Sequence, residues 1–224
     1  MRATDAARQL PLDLPHAVSF HREDFLESAA NAEALALVER WPDWPSHAAA
    51  VVGPAGSGKS HLASIWAEHS GARTLPAHLL EKHEVPRSLS TGALVLENLN
   101  PGEFDEHALF HLLNLAREDE ASVLFTSMHP LESGMAGLAD LASRLRAVPV
   151  AKLSAPDDAL IAAVLVKLFS DRQIAIDQDV VAYLLPRMER SLGNARALVA
   201  RIDEAALSAG KPVNRTFVAS LLRE

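Results

Sequence analysis

The octapeptide GPAGSGKS, Gly53 to Ser60, decides how this chain is read. It fits the pattern G-x-x-x-x-G-K-S/T, in which glycines let backbone N–H groups wrap a polyphosphate and the following helix adds the positive end of its dipole. Such a loop works only between a strand and a helix. Both flanks comply: Ala48 to Gly53 (AAAVVG) is a short apolar run closed by glycine, and a helix is predicted over 59–69. The expected contacts to bound ADP or ATP are Gly53, Pro54, Ala55, Gly56, Ser57, Gly58, Lys59, Ser60 and His61. Within that set Lys59 reaches the outer phosphates and the Ser60 hydroxyl holds Mg2+.

Working outward, similar apolar runs recur at Ala72 to Ala77, Ala93 to Asn98, Ser122 to Ser127 and Val148 to Leu153. Helical stretches separate the last three, notably Asp105 to Asp119. Short apolar strands alternating with helices predict an α/β fold with a five-stranded parallel sheet covered on both faces. Upstream, Glu23 to Trp41 reads as one amphipathic helix, with Phe25, Ala29, Ala32, Leu35, Ala36 and Val38 on its apolar stripe. Turn chemistry at Pro42 to His47 ends it. After Ser154 the strand signal disappears, and four helical segments fill the rest of the chain. The division expected is an extended arm at 1–15, an α/β core at 16–154 and a small helical lid at 155–224.

Composition narrows the classes of function. Hydrophobic residues make up 49% and charged residues 22%, a globular balance that excludes a disordered chain. With no cysteine there is neither a disulfide nor a thiolate zinc site, which suits a reducing compartment. The N-terminus lacks the plan of a signal peptide and no apolar run reaches membrane-spanning length, so the expectation is a soluble, cytoplasmic chain with no membrane contact. A net charge of −8 works against broad binding of a phosphate backbone. DNA is then met only indirectly, through a protein.

Further residues carry chemistry by type and place. Glu97, at the end of ALVLEN, stands where a phosphate-loop protein keeps its second metal-organising acid, making Ser60 and Glu97 the expected Mg2+ ligands. Asn98 follows where a carboxylate would activate water, and an amide cannot accept that proton, so the chain's own hydrolysis should be weak. Thr126 and Ser127, at the next strand end, are placed to meet a γ-phosphate or a water. Arg144 lies in DLASRLR before the last strand, and Arg196 lies in LGNAR on a lid helix. His107 and His111 stand four apart but lack the adjacent glutamate of H-E-x-x-H and read as ordinary helix residues. Trp41 and Trp44 read as packing a turn onto the sheet.

The order of these motifs, GPAGSGKS, ALVLEN, FTS, SR and GNAR, resembles the AAA+ module of the bacterial replication initiator DnaA and its relatives over nearly the whole chain. The resemblance implies an AAA+ P-loop NTPase fold with a helical lid. It further implies that Arg144 is a finger, catalytic in trans on a neighbour's nucleotide, and that Arg196 senses bound phosphates. Three functions stay open: a regulator that acts on DnaA, an initiator or helicase loader, and a stand-alone P-loop ATPase. The chain ends at Glu224 directly after the last lid helix, and the His78 to Gly92 connection is short for the additional single-strand-binding helix of initiators. Both count toward the regulator.

The arm adds an address. QLPLDL, Gln9 to Leu14, resembles the Gln-Leu-x-Leu-x-Leu peptides that bind the replicative sliding clamp. Extended, it places Leu10, Leu12 and Leu14 on one side for an apolar groove, with the Gln9 amide at its rim. Pro11 restricts the unbound peptide and lowers the ordering cost of docking. The partners implied are the clamp, DnaA and a homodimeric copy, in a negative regulator of replication initiation.

Overall fold

The computed structural model describes residues 21–131 and 134–223, so the expected clamp contacts at Gln9, Leu10, Leu12 and Leu14 lie outside the described residues. Strand β1, Ala48–Val52, is buried along its whole length. It lies between β4 and β5 in a five-stranded parallel sheet with β2 (Arg73–Pro76), β3 (Ala93–Glu97), β4 (Ser122–Ser127) and β5 (Val150–Lys152), in the order β2-β3-β4-β1-β5. Registers such as Ala50 opposite Phe125 and Val51 opposite Ala151 bring the carboxyl ends of β1, β3 and β4 to one edge. In open α/β sheets that edge is where ligands bind. The five parallel strands expected from the apolar runs are all present.

Strand period two divides the core. Ala48, Ala50, Leu94, Leu96, Val123 and Phe125 face one helical layer, while Ala49, Val51, Val95 and Leu124 face the other. The second layer is α1 (Ala32–Glu39) and α2 (Lys59–Ser70). The first holds the four-residue α3 (Val85–Ser88), α4 (Glu106–Glu118) and α5 (Ala139–Arg146). The β1 side chains are only alanine and valine, and the facing bulk comes from three tryptophans. Trp44 stacks on the fully buried Trp66 at 5.2 Å, Trp41 meets it edge-on, and the Trp41 and Trp44 indoles donate to Ser122 Oγ and the Leu37 carbonyl. The turn is thereby sealed against α2.

The upstream helix is shorter than its periodicity predicts. Only the turn Arg22–Asp24 and α1 are helical between 22 and 39. The buried Asn31 side chain accepts the Ser28 N–H and donates to the Leu26 carbonyl, so local side-chain bonds compete with the helix and hold a turn. Phe25 is released to pack edge-on against His61 at 5.2 Å.

After β5 come α6 (Asp158–Asp171), α7 (Gln178–Leu184), α8 (Leu192–Ala209) and α9 (Arg215–Leu221). Side chains of Asp157, Ser191 and Asn214 cap three of these by accepting N–H groups of the first turn. Leu165, Phe169, Val180, Leu184, Val199 and Ile202 build a separate apolar cluster among them. This helical part is fastened to the sheet domain by Lys167 on Asp24 at 2.6 Å and by the Ser154 N–H on the Ala30 carbonyl. Among the described residues no helix is long and apolar enough to cross a membrane.

Helix α5 has Leu138 at its N-cap, which offers no side-chain hydrogen bond of its own. Glu106 of α4 does the capping: its two carboxylate oxygens accept the Gly137 and Leu138 N–H groups at 2.8 Å each, and those bonds lower its pKa below 4.5. A depressed carboxylate contributes fully above its unfolded pKa and is lost as pH falls through the lower folded value. Hydrogen exchange at Gly137 and Leu138 should therefore accelerate as pH falls below 4.5, relative to the intrinsic rate, and in Glu106→Ala should be fast at every pH.

Candidate functional site

The phosphate loop leaves β1 at Val52 and enters α2 at Lys59. Gly53 anchors its first turn by donating its N–H to the Ser127 carbonyl of β4. Lys59 is buried, and its ammonium donates to the Gly53 and Pro54 carbonyls at 2.8 Å each, while burial lowers its pKa. The Ser57 hydroxyl, also in the loop, is buried without a hydrogen-bond partner. A buried cation and an orphaned hydroxyl at the head of a helix fit an anion rich in acceptor oxygens, as a polyphosphate is. Pro54, Ala55 and Ser60 are exposed, and Gly56 and Gly58 partly so.

Glu97 ends β3 half-exposed, and with the Ser60 hydroxyl it supplies the oxygen chemistry that Mg2+ takes. No group of three or more His, Cys, Asp or Glu able to hold a metal occurs among the described residues. A cation here would lean on phosphate oxygens for its remaining ligands. Asn98 has a backbone reason as well: its φ is 58°, a region that asparagine tolerates better than other residues with a side chain. Its N–H donates to Thr126 Oγ1 at 3.0 Å. The neighbouring Ser127 hydroxyl lies 2.7 Å from the Leu99 carbonyl and accepts the His129 N–H. Both hydroxyls thus fix the loop after β3 to the end of β4.

Beside the loop is a cavity of 310 Å³, closed on one side by Phe25 and Leu26 and on the other by Leu160 and Val164 of α6 and Leu192 of α8. Leu192 joins it to the loop, because its N–H donates to the Gly56 carbonyl at 2.9 Å. One turn further along α8, the half-buried Arg196 guanidinium lines the same cavity and donates to His61 Nδ1 at 3.3 Å. Burial lowers the pKa of both His61 and Arg196. The volume and mixed lining are those of a small-molecule site.

Arg144 is placed apart from this group. It lies on α5, half-buried, with its guanidinium over the Phe110 ring of α4 at 4.8 Å, and does not line the cavity. His107 is exposed and His111 partly so, as the sequence suggests. Sequence reasoning missed the cavity walls, Asp24 to Leu26 and the α6 residues, and it missed Ser191 and Leu192 against the loop. None of these carries a motif; the one available signal was that the lid arginine shares a helix with Leu192.

No protein-family model matches the chain, and no curated protein sequence does. Solved structures do. Domain III of the Thermotoga maritima replication initiation protein DnaA superposes with a TM-score of 0.73 at 16% identity, covering 91% of this chain and 95% of that one. AMPPCP-bound DnaA from Aquifex aeolicus gives 0.66 at 16% identity, covering 87% and 68%. The Thermotoga maritima RuvB Holliday junction branch migration motor gives 0.66 at 18% identity, covering 85% and 66%. The five-stranded parallel sheet with its C-terminal helices is an AAA+ fold. The chain spans nearly all of DnaA domain III but about two thirds of the longer DnaA and RuvB chains.

Gly56 and Gly71 share a φ of 69°, but only Gly56 is crowded: a Cβ there would run into the Ser191 hydroxyl, whereas Gly71 faces open space. Gly71→Ala should cost about 1 kcal/mol of stability from backbone strain alone. Gly56→Ala should cost clearly more in denaturant unfolding. Equal costs would show that Ser191 does not press on the loop.

Proposed function

We propose that the chain is a nucleotide-bound regulator resembling Hda, the DnaA-related inactivator of the bacterial initiator. It docks on the replicative sliding clamp through Gln9, Leu10, Leu12 and Leu14, and it stimulates ATP hydrolysis by DnaA with Arg144, which prevents re-initiation. The observation that carries this reading is the separation of two arginines. Arg196 lines the chain's own cavity beside the phosphate loop, whereas Arg144 lies outside it over Phe110. An arginine held away from its own site is suited to completing another.

In this reading ADP or ATP occupies the cavity and loop, with its base between Phe25 and α6 and its phosphates at Lys59, Ser57, Thr126 and Arg196. Mg2+, held by Ser60 and Glu97, neutralises phosphate charge when bound. The loop Gly53 to Ser60 cradles the phosphates with the backbone N–H groups it has to offer, Pro54 having none and Gly53 giving its own to Ser127, and His61 closes the inner wall. Turnover by the chain alone is slow because Asn98 offers no base. The 1–15 arm tethers the protein to the clamp and raises its effective concentration beside DnaA, the 16–154 core and 155–224 lid enclosing the nucleotide. Arg144 then neutralises charge developing on the nucleotide of DnaA, an effect of roughly 10³ to 10⁵ where fingers act in other systems. A second copy of the chain can present the same face, giving a homodimer, and the setting is the bacterial cytoplasm.

Against the initiator alternative, the connection from β2 to β3 holds only the turns Ala77–Leu79 and Lys82–Glu84 and the four-residue α3. Initiators are expected to carry an additional helix there. The test measures hydrolysis of DnaA-bound ATP with DNA-loaded clamp. Wild type should accelerate it at least about a hundredfold and Arg144→Ala should not, while both bind clamp equally. A Gln9→Ala, Leu10→Ala double variant should lose clamp binding in a pull-down. Normal stimulation by Arg144→Ala overturns the finger assignment.

A further inference from the structure

Glycine at 56 gives the phosphate loop a choice that its own sequence does not make. With a φ of 69° and no Cβ, the chain there can turn the peptide joining Gly56 to Ser57 either way at little cost. In a trans peptide the carbonyl and the N–H point in opposite directions, so the two orientations differ in which group faces the inside of the loop. The Gly56 carbonyl is turned toward α8, where it accepts the Leu192 N–H at 2.9 Å. The Ser57 N–H faces the other way, across the loop, and donates to the Pro54 carbonyl at 3.4 Å, a long bond to an oxygen that the Lys59 ammonium already uses. An incoming phosphate oxygen can take that N–H over.

We infer that Leu192 is a positioning residue: its backbone N–H, the first of α8, holds the peptide between Gly56 and Ser57 with the Ser57 N–H toward the phosphate site. The inference rests on reading the loop and cavity as the nucleotide site, and it gives the C-terminal helices a part in phosphate binding that is separate from their charges. The flipped peptide would turn a carbonyl oxygen onto the anion and repel it, so a loop free to flip spends part of its time closed to phosphate. The bond to Leu192 removes that fraction before the ligand arrives. Leu192 can supply it because the N–H of a first helical residue has no partner within its own helix, and because Ser191, extended at φ −145° and ψ 133°, caps α8 and brings its start against the loop. The leucine side chain follows the same surface, with Cδ1 3.4 Å from where a Cβ on Gly58 would lie. By linkage, a phosphate that fixes the peptide strengthens the bond to Leu192 in return.

Leu192→Pro tests the bond with little else disturbed. Proline fits the first position of a helix, Ser191 already has the extended backbone that precedes a proline, and only one N–H is removed. Leu192→Ala is the reference, since it loses the same side chain and keeps the N–H. Leu192→Pro should bind a fluorescent ADP analogue about fivefold more weakly than Leu192→Ala. Toward adenosine, followed by ligand NMR, the two variants should be equal, because adenosine brings no phosphate to the loop. Equal affinities for the ADP analogue overturn the inference. A deficit for adenosine as large as that for the ADP analogue also overturns it, since the bond would then shape the cavity and not the phosphate site. Hydrogen exchange in the wild type gives a reading that needs no variant. Protection of the Leu192 N–H should rise about fivefold or more on saturation with the ADP analogue or with pyrophosphate, and unchanged protection with both overturns the inference. If the wild type fails to bind the ADP analogue while pyrophosphate protects Leu192, the nucleotide reading falls and the positioning role stands.

Discussion

An ammonium group carried into a protein interior has to be surrounded by oxygen atoms or it loses its charge. Lys59 meets that requirement with the Gly53 and Pro54 carbonyls, and those two oxygens are available only because the loop turns back over the start of α2. Much else follows from the constraint. The loop must be short, its backbone must lie bare, and β1 must end where β4 can receive the Gly53 N–H. The sheet order, with β1 between β4 and β5, places the ends of β3 and β4 on one side of the loop and leaves the other for the C-terminal helices.

Those helices meet the loop through backbone rather than through charge. The Leu192 N–H on the Gly56 carbonyl brings the start of α8 against the loop, and one turn later Arg196 reaches the cavity. The segment from His21 to Leu26 closes the third side, holding His61 with a carbonyl and α6 with Asp24. The helices and the 21–26 segment line the cavity, and the loop adjoins it through Leu192. No single element contains the site, so a shift of any one of them changes its shape.

The parts of this architecture with strong local signatures were legible in the sequence. The five strands and the C-terminal helices were marked by apolar period and capping residues, and GPAGSGKS marked the turn between β1 and α2. The stretch from Glu23 to Trp41 misled because its apolar spacing suits a helix, while the Asn31 side chain, bonding to Leu26 and Ser28, decides the backbone. The cavity walls were illegible for a different reason. Phe25, Leu160 and Leu192 are ordinary apolar residues whose shared position depends on how two helical layers fold back over one strand. Asn98 shows how one residue can have two explanations, since a left-handed backbone favours asparagine there whatever the chemistry nearby.

Gly56 and Ser191 sit 135 residues apart in sequence yet occupy one space, where a side-chain carbon on the first would overlap the hydroxyl of the second. They are not independent positions. Room for a side chain at 56 exists only if 191 becomes smaller or the start of α8 draws back, so each position limits what the other can hold.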